Sequence, residues 1–304
     1  TDSLGITLSI RDKAHFDAEE HLIPVIPKKT DIIRTKVIAL EQSGNYKIDF
    51  SELSTNKESE GLVKVVITNP FNSAIESLKE ISNLESQNFF DCLSTYFAKA
   101  YLKSPDLDAF REKATLFLAS LTKKNSFFSW YPGMEGTYYL SYEFLEKMKQ
   151  IYSMCSIKPT TAEEALLKET IESVDSHFLT QYKLHLERKQ KYNDNQFATF
   201  NVLYLRARAL YPEYPLPEKV KIAKDYYISQ MDTMALNPEV LNNVYYASAL
   251  LRNGEKQKAD RYIKSIRQYA VKNSTTGIYF PNAVLPYRGF VNSELSAHAD
   301  ILDL

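Results

Sequence analysis

The chain has 304 residues, 44% of them hydrophobic and 25% charged, and its formal net charge is −1. This composition is ordinary for a folded chain with a sizeable core, and the net charge gives no overall field toward nucleic acid or an anionic membrane. Only eight glycines are present, and no spacing among them fits a dinucleotide fingerprint or a phosphate-binding loop. We therefore expect no cofactor and no nucleic-acid partner. The sequence has no apolar run long enough to predict a transmembrane span.

Residues 1–80 are predicted to form an antiparallel β region, either one sheet or half of a sandwich. The first strand is indicated by apolar residues at alternate positions. These residues are Leu4, Ile6, Leu8 and Ile10. Three further stretches have strand character, at residues 32–40, 46–50 and 62–68, and the last is closed by the turn signal Asn69-Pro70.

Near Ser82 the apolar period changes from two residues to between three and four, which predicts helices for the remaining 81–304. The segments with this period are residues 89–101, 110–121, 138–154, 161–182, 200–210, 220–231, 241–251, 259–270 and a last helix from 293. Helix boundaries are indicated by Ser104-Pro105-Asp106, by a capping box at residues 161–164, and by Asn253-Gly254 as a C-cap.

The predicted fold is therefore α+β and multidomain, with a β region at 1–80 and an all-α domain of helical hairpins at 81–304. Two architectures fit the hairpins: an open α-solenoid of the tetratricopeptide sort and a closed α/α toroid. The helices lack a consensus at fixed period, which favours the toroid. Because the chain begins at Thr1 and ends inside an apolar-rich run, we interpret it as a piece of a longer protein, truncated at its C-terminus.

Residues 125–142 contain the only Trp and the only closely spaced glycines of the chain. Large aromatic residues at this density either pack in a core or form a surface for a peptide or another domain. We leave both interpretations open for this segment. The aromatic residues concerned are Phe127, Phe128, Trp130, Tyr131, Tyr138 and Tyr139.

No catalytic or metal-binding set is predicted. The motifs of serine hydrolases and zinc peptidases are absent, and the histidines lack the spacing of metal ligands. Glu294 and His298 share a helix face near Asp300, which is usual for a surface pair. Cys92 is predicted to be a buried small hydrophobe, with pairing to Cys155 left open.

Several segments resemble those of the bacterial alpha-2-macroglobulin-like proteins of the Bacteroidetes type. The residues that carry this resemblance are FFSWYPGMEGTYY at 127–139, ALYPEYPLPEK at 209–219, ALLRNGEK at 249–256, and residues 277–304. Residues 67–78, ITNPFNSAIESL, resemble the end of the β-sheet material that precedes the helical domain in that family.

The resemblance implies an envelope protein, periplasmic or anchored to the outer membrane as a lipoprotein, that inhibits proteases by trapping them. It implies an α/α toroid of the kind that carries the thioester in macroglobulins, a fold shared with the terpenoid cyclases. The implied partners are neighbouring β domains of the same parent chain and captured proteases. It implies no enzyme activity. The rivals are a toroid enzyme that acts on polysaccharide and a purely structural interaction module.

Family members that couple covalently to proteases use a Cys-x-Glu-Gln thioester. Neither cysteine of this chain is followed by that pattern, because Cys92 precedes Leu-Ser-Thr and Cys155 precedes Ser-Ile-Lys. The proposed degenerate position is Leu84, Glu85, Ser86 and Gln87. The resemblance therefore implies a member without the thioester, in which any inhibition is non-covalent.

Overall fold

The computed structural model describes residues 3–24, 44–49, 51, 64–67, 69–192, 199–232, 234, 236, 239–273, 277–281, 283 and 294–304. The chain divides into two compact units, Thr1–Lys64 and Val65–Leu304. The described residues are mixed α+β, which confirms the predicted fold class at that level.

The described residues of the first unit include an antiparallel hairpin, formed by β1 (Ser3–Arg11) and β2 (Phe16–Pro24). The tight turn between them is stabilised by Asp12, whose Oδ1 accepts hydrogen bonds from the amides of Ala14 at 2.6 Å and His15 at 2.7 Å. The alternation from Leu4 to Ile10 therefore predicted β1 correctly. Strand β2 was missed because its central residues are acidic and break the apolar alternation.

The other three predicted strands lie wholly or partly outside the described residues. Residues 32–40 lie outside the described residues, as do 50, 62–63 and 68. The described parts of the two remaining stretches, 46–49 and 64–67, have no strand. The four-stranded sheet is therefore not observed in the part of the chain that the structure covers.

Helix α1 (Pro70–Ile81) lies where the sequence was interpreted as β. Asn69 caps it by accepting the amide of Phe71 at 3.0 Å, and a proline stands in the first turn. The same Asn-Pro pair that was interpreted as a closing turn is a helix start. Thr95 of the next helix donates its hydroxyl to the carbonyl of Ile81 at 3.3 Å, which links the end of α1 to the helical unit.

Nine further helices follow in the described residues of the second unit, with a second small hairpin between the last two. The helices are α2 (Phe89–Tyr101), α3 (Leu107–Ser120), α4 (Tyr138–Cys155), α5 (Thr161–Tyr192), α6 (Thr199–Arg208), α7 (Glu218–Met231), α8 (Val240–Arg252), α9 (Lys256–Gln268) and α10 (Glu294–Leu302). The strands are β3 (Val271–Asn273) and β4 (Gly277–Tyr279).

The helix boundaries test three of the predicted caps. The capping box of α5 is Thr160 with Glu163, one residue earlier than predicted: the Glu163 amide donates to the Thr160 hydroxyl, and the Thr160 amide donates to the Glu163 carboxylate at 2.8 Å. Helix α3 begins after Asp106, later than the Ser-Pro start that the sequence predicted. Gly254 has φ +83° directly after α8, which confirms the C-cap prediction.

The helices of the second unit pack in two rows. In the first row α2 packs on α4, α4 on α6, α6 on α8, and α8 on α10. In the second row α3 packs on α5 and α5 on α7, and contacts between α2 and α3 and between α4 and α5 join the rows. Helices α6 and α8 are buried on almost every side. The core of the unit therefore runs along the first row.

Candidate functional site

The aromatic segment forms a loop, residues 125–137, whose base is part of the core. Phe128 is completely buried and stacks on Phe144 of α4, with ring centroids 4.4 Å apart. The Ser129 hydroxyl, also buried, donates to the carbonyl of Leu121 at 3.0 Å. These contacts fix the loop between α3 and α4. The core interpretation therefore holds for Phe128.

Two close backbone contacts hold the arms of this loop together. The Thr137 amide donates to the carbonyl of Phe128 at 2.8 Å, and the Asn125 side chain bonds both the amide and the carbonyl of Gly136. A Cβ on Gly136 would lie 1.8 Å from the carbonyl oxygen of Phe127. Only glycine fits at this position, which is the physical reason for one of the two glycines of the segment.

The same loop is joined to the start of α2. The Phe89 amide donates to the carbonyl of Trp130 at 3.0 Å, and the rings of Phe90 and Trp130 lie 5.1 Å apart. The apex beyond Trp130 is open to solvent, because Tyr131 and Met134 are each 49% exposed. The segment thus combines a core anchor with an exposed apolar apex, so each of the two sequence interpretations describes part of it.

The proposed degenerate thioester position lies in the loop between α1 and α2, just before Asn88, the N-cap of α2. Leu84 is 53% exposed, and Glu85 and Gln87 are also exposed. Ser86 is half-buried and its hydroxyl lies beside the Cys92 thiol. The assignment of these four residues to a thioester register stays a prediction.

Tyr138 and Phe127 belong to an aromatic cluster around His177 of α5. The Tyr138 ring stacks on the imidazole at 4.6 Å, while Phe127 meets it edge-on at 5.5 Å and Phe200 lies at 6.1 Å. His177 Nε2 is buried without a hydrogen-bond partner. Burial lowers the pKa of this imidazole, because the aromatic surroundings disfavour its charged form.

A cluster of charged residues on the first row was not predicted. We call it the carboxylate–arginine cluster, and its members are Glu143, Glu146, Arg206, Arg252 and Asp300. Arg206 of α6 contacts Glu146 of α4 at 2.8 Å and Asp300 of α10 at 2.5 Å. Arg252 of α8 contacts Glu146 at 3.3 Å. The cluster therefore ties four helices of the first row together.

Two members of this cluster are unusual: Glu143 has a raised pKa, and Arg206 has a buried nitrogen without a hydrogen-bond partner. The pKa of Glu143 is raised, chiefly by burial and also by Glu146 and Asp300, although Lys147 and Arg206 oppose the shift. The nearby Tyr139 also has a raised pKa, through burial and its contact with Glu143. The Nε atom of Arg206 is buried without a hydrogen-bond partner. Among the described residues, Glu143 is the carboxylate of this cluster best suited to donate a proton.

The sequence held a signal for this cluster that was not used. Glu146 stands among the apolar residues of α4, and Arg206 stands within a helix that is buried almost throughout. A charge at such a position has to be paired, because burying it alone is costly. The identity of its partner depends on helix packing, which the sequence pattern does not contain.

His298, which the sequence placed on one helix face with Glu294, takes part in a different contact: its Nε2 accepts the Phe280 amide at 3.0 Å. The Glu294 side chain lies outside what the structure describes.

Two further buried ion pairs join helices outside this cluster. Arg111 of α3 donates to Glu163 of α5, whose carboxylate also accepts the Tyr96 hydroxyl. Arg208 of α6 donates to Asp175 of α5 at 3.1 Å. In both pairs the carboxylate accepts a tyrosine hydroxyl as well as the guanidinium. The Arg208–Asp175 pair joins the two rows, whereas the Arg111–Glu163 pair lies within the second row and is linked to the first by the Tyr96 hydroxyl.

The remaining chemistry of the described residues is limited. Cys92 and Cys155 are both free, so the pairing left open in the sequence is not formed. Burial raises the pKa of Cys92 to about 12, and it also raises that of Cys155.

No group of three potential metal ligands occurs in the described ranges. Within the same ranges no helix is both long and apolar enough to cross a membrane.

No protein-family model matches the chain, and no curated protein matches it.

Proposed function

We propose that this chain is the helical domain, with adjoining β material, of a macroglobulin-like envelope protein that traps proteases without a thioester. The domain is a scaffold that changes its contacts with neighbouring domains of the parent chain, and it has no turnover. Leu84, Glu85, Ser86 and Gln87 occupy the place of the thioester, and capture is non-covalent.

The observation that supports this proposal best is the burial of the first row. In an open solenoid the concave side of each inner helix faces solvent, whereas in a closed α/α toroid that side is covered. Ten of the thirteen residues of α8 are buried, and all but one of residues 201–208 of α6 are buried. Such burial is what the inner helices of a closed toroid would show. The toroid is the fold that the resemblance implies.

The exposed apex of the aromatic loop supports an interaction role. Tyr131 and Met134 are half-exposed on a loop whose base is fixed in the core by Phe128. An anchored loop with an exposed apolar end loses little entropy when it binds. We therefore assign its apex to contact with a neighbouring domain of the parent chain.

The test is protease capture by the full-length parent protein. After cleavage, the protease should co-elute with the parent under native conditions and should be released completely by denaturant. A protease that elutes separately would refute trapping. A protease that stays attached after denaturation would refute the non-covalent mechanism.

A toroid enzyme acting on polysaccharide remains the second candidate, and Glu143 is the observation that favours it. Glycoside hydrolysis needs a protonated carboxylic acid together with a second carboxylate, and Glu143 has a raised pKa with Asp300 among its charged neighbours. In an enzyme, Glu143→Gln would lower kcat on an active polysaccharide by about a hundredfold or more. On our proposal the same substitution leaves protease capture unchanged and stabilises the domain near neutral pH, because it removes a buried acid.

A further inference from the structure

Helix α9 and the hairpin after it carry a concentration of positive charge that the overall composition hides. Residues 256–272 contain six cations and one acid, a net charge of +5, in a chain whose total is −1. Two of the cations are used locally: Arg261 donates to the carbonyls of Asp232 and Met234, and Lys258 pairs with Glu255 at 3.1 Å. That leaves four other cations in this segment.

These four cations are Lys256, Lys264, Arg267 and Lys272. All are exposed, and none has an ion-pair partner within the described part of the chain. The three on α9 are spaced so that they share the face opposite Ala259, Tyr262 and Ile266, which are buried against the core. Asp260 is the one acid on the same exposed face.

The hairpin that continues from α9 presents apolar side chains beside this charge. Ile278 is 61% exposed and lies directly opposite Lys272 in the ladder, so the two side chains share one face of the hairpin. Val271 and Tyr279 pair on the other face and are each 38% exposed. Tyr269, between the helix and the hairpin, is 40% exposed.

We propose that this surface docks on a lipid bilayer rich in anionic headgroups. Lysine and arginine on the exposed face of α9 match the charge of the headgroups, and tyrosine and short aliphatic side chains suit the boundary between headgroups and acyl chains. The exposed Ile278 beside Lys272 distinguishes this surface from a nucleic-acid site, where such a side chain contributes little to backbone binding. The inference rests on α9 and its hairpin, and it is independent of the proposed protease trapping.

The charge on this surface sets the size of the expected effect. Each cation close to an anionic membrane strengthens binding about fivefold at moderate ionic strength. The double variant Lys264→Gln/Arg267→Gln should therefore weaken binding about twenty-five-fold. Salt should weaken the wild type as well, because exposed charges are screened over roughly 10 Å at 0.1 M.

The experiment is co-sedimentation of the whole chain with vesicles of phosphatidylcholine alone or with about one third phosphatidylglycerol, at low and high salt. The matched control is Lys113→Gln/Lys123→Gln, which removes the same charge from exposed positions on and after α3. A second variant, Ile278→Ser/Tyr279→Ser, tests the apolar contribution, and circular dichroism checks that each variant is folded.

We expect binding to the anionic vesicles only, weakened about twenty-five-fold in the α9 variant, weakened in the hairpin variant and kept in the control. Equal binding to neutral vesicles would overturn the proposal, and so would equal losses in the α9 variant and the control. An unchanged hairpin variant would also overturn it. Tighter binding to duplex DNA than to anionic vesicles would assign the surface to a nucleic acid instead.

Discussion

At the scale of single residues, Arg206 is the best example of a side chain whose role depends on its neighbours. It contacts Glu146 and Asp300, which belong to helices that precede and follow it in the first row. Both Arg206 and Glu146 are almost completely buried. Removing one partner of a buried pair leaves an uncompensated charge, which costs more than the pair itself contributes.

We therefore predict that Arg206→Met lowers the free energy of unfolding by about 3–5 kcal/mol. The matched control is Lys149→Met, whose pair with Glu213 at 3.1 Å is partly exposed. That change should cost less than about 1 kcal/mol. Urea denaturation of both variants measures the difference. Equal costs would show that Arg206 is not an essential partner of buried carboxylates.

His177 predicts a pH dependence of stability. Its pKa in the folded chain is lower than its unfolded value of about 6.5. The unfolded chain therefore binds more protons as the pH falls below about 6.5. The contribution of His177 to stability is therefore fully present above about pH 6.5. It decreases as the pH falls from that value to the folded-state pKa.

His177→Phe should remove this contribution and reduce the loss of Tm between pH 7.5 and pH 5.5. His15→Gln is the control, because the side chain of His15 is 85% exposed. Thermal unfolding monitored by circular dichroism at the two pH values provides the measurement. A His177→Phe protein that loses as much Tm as the wild type would contradict the assignment.

At the scale of elements, the aromatic loop depends on one glycine. A Cβ at Gly136 would collide with the Phe127 carbonyl, whereas Gly133 has open space around it and only an unusual φ of +84°. Gly136→Ala should destabilise the chain by about 3 kcal/mol, since the backbone has to move. Gly133→Ala should cost about 1 kcal/mol.

Trp130 fluorescence reports the state of the loop directly, because this is the only tryptophan in the chain. Gly136→Ala should shift its emission to longer wavelength while far-ultraviolet circular dichroism stays helical. A Gly136→Ala protein with unchanged stability and emission would show that the close contact at this position is not required.

The elements also show how far the sequence predicts the fold. The later helices were found because apolar residues recur at helical period along them, and Gly254 marks the end of α8. Helix α1 was not found, because its Asn-Pro start has the same residues as a turn. Strand β2 was not found because acids occupy its middle, and every residue of the strand is exposed, so burial does not require apolar residues there.

At the scale of the whole molecule, the sequence indicates which residues are buried but not which helices meet. Arg206 and Asp300 come from helices separated by α7, α8 and α9. Their pairing follows from the order of helices in the first row, which is set by packing. For the same reason the basic surface of α9 is invisible in a total charge of −1, although its residues are contiguous in the chain.

The proposed function makes the helical unit a scaffold within a larger inhibitor, and this is a claim about conformational change. Its most direct test is sedimentation velocity of the full-length parent protein before and after protease cleavage. We predict a higher sedimentation coefficient after cleavage, with the protease retained until denaturant is added. A coefficient that stays the same after complete cleavage would contradict protease trapping.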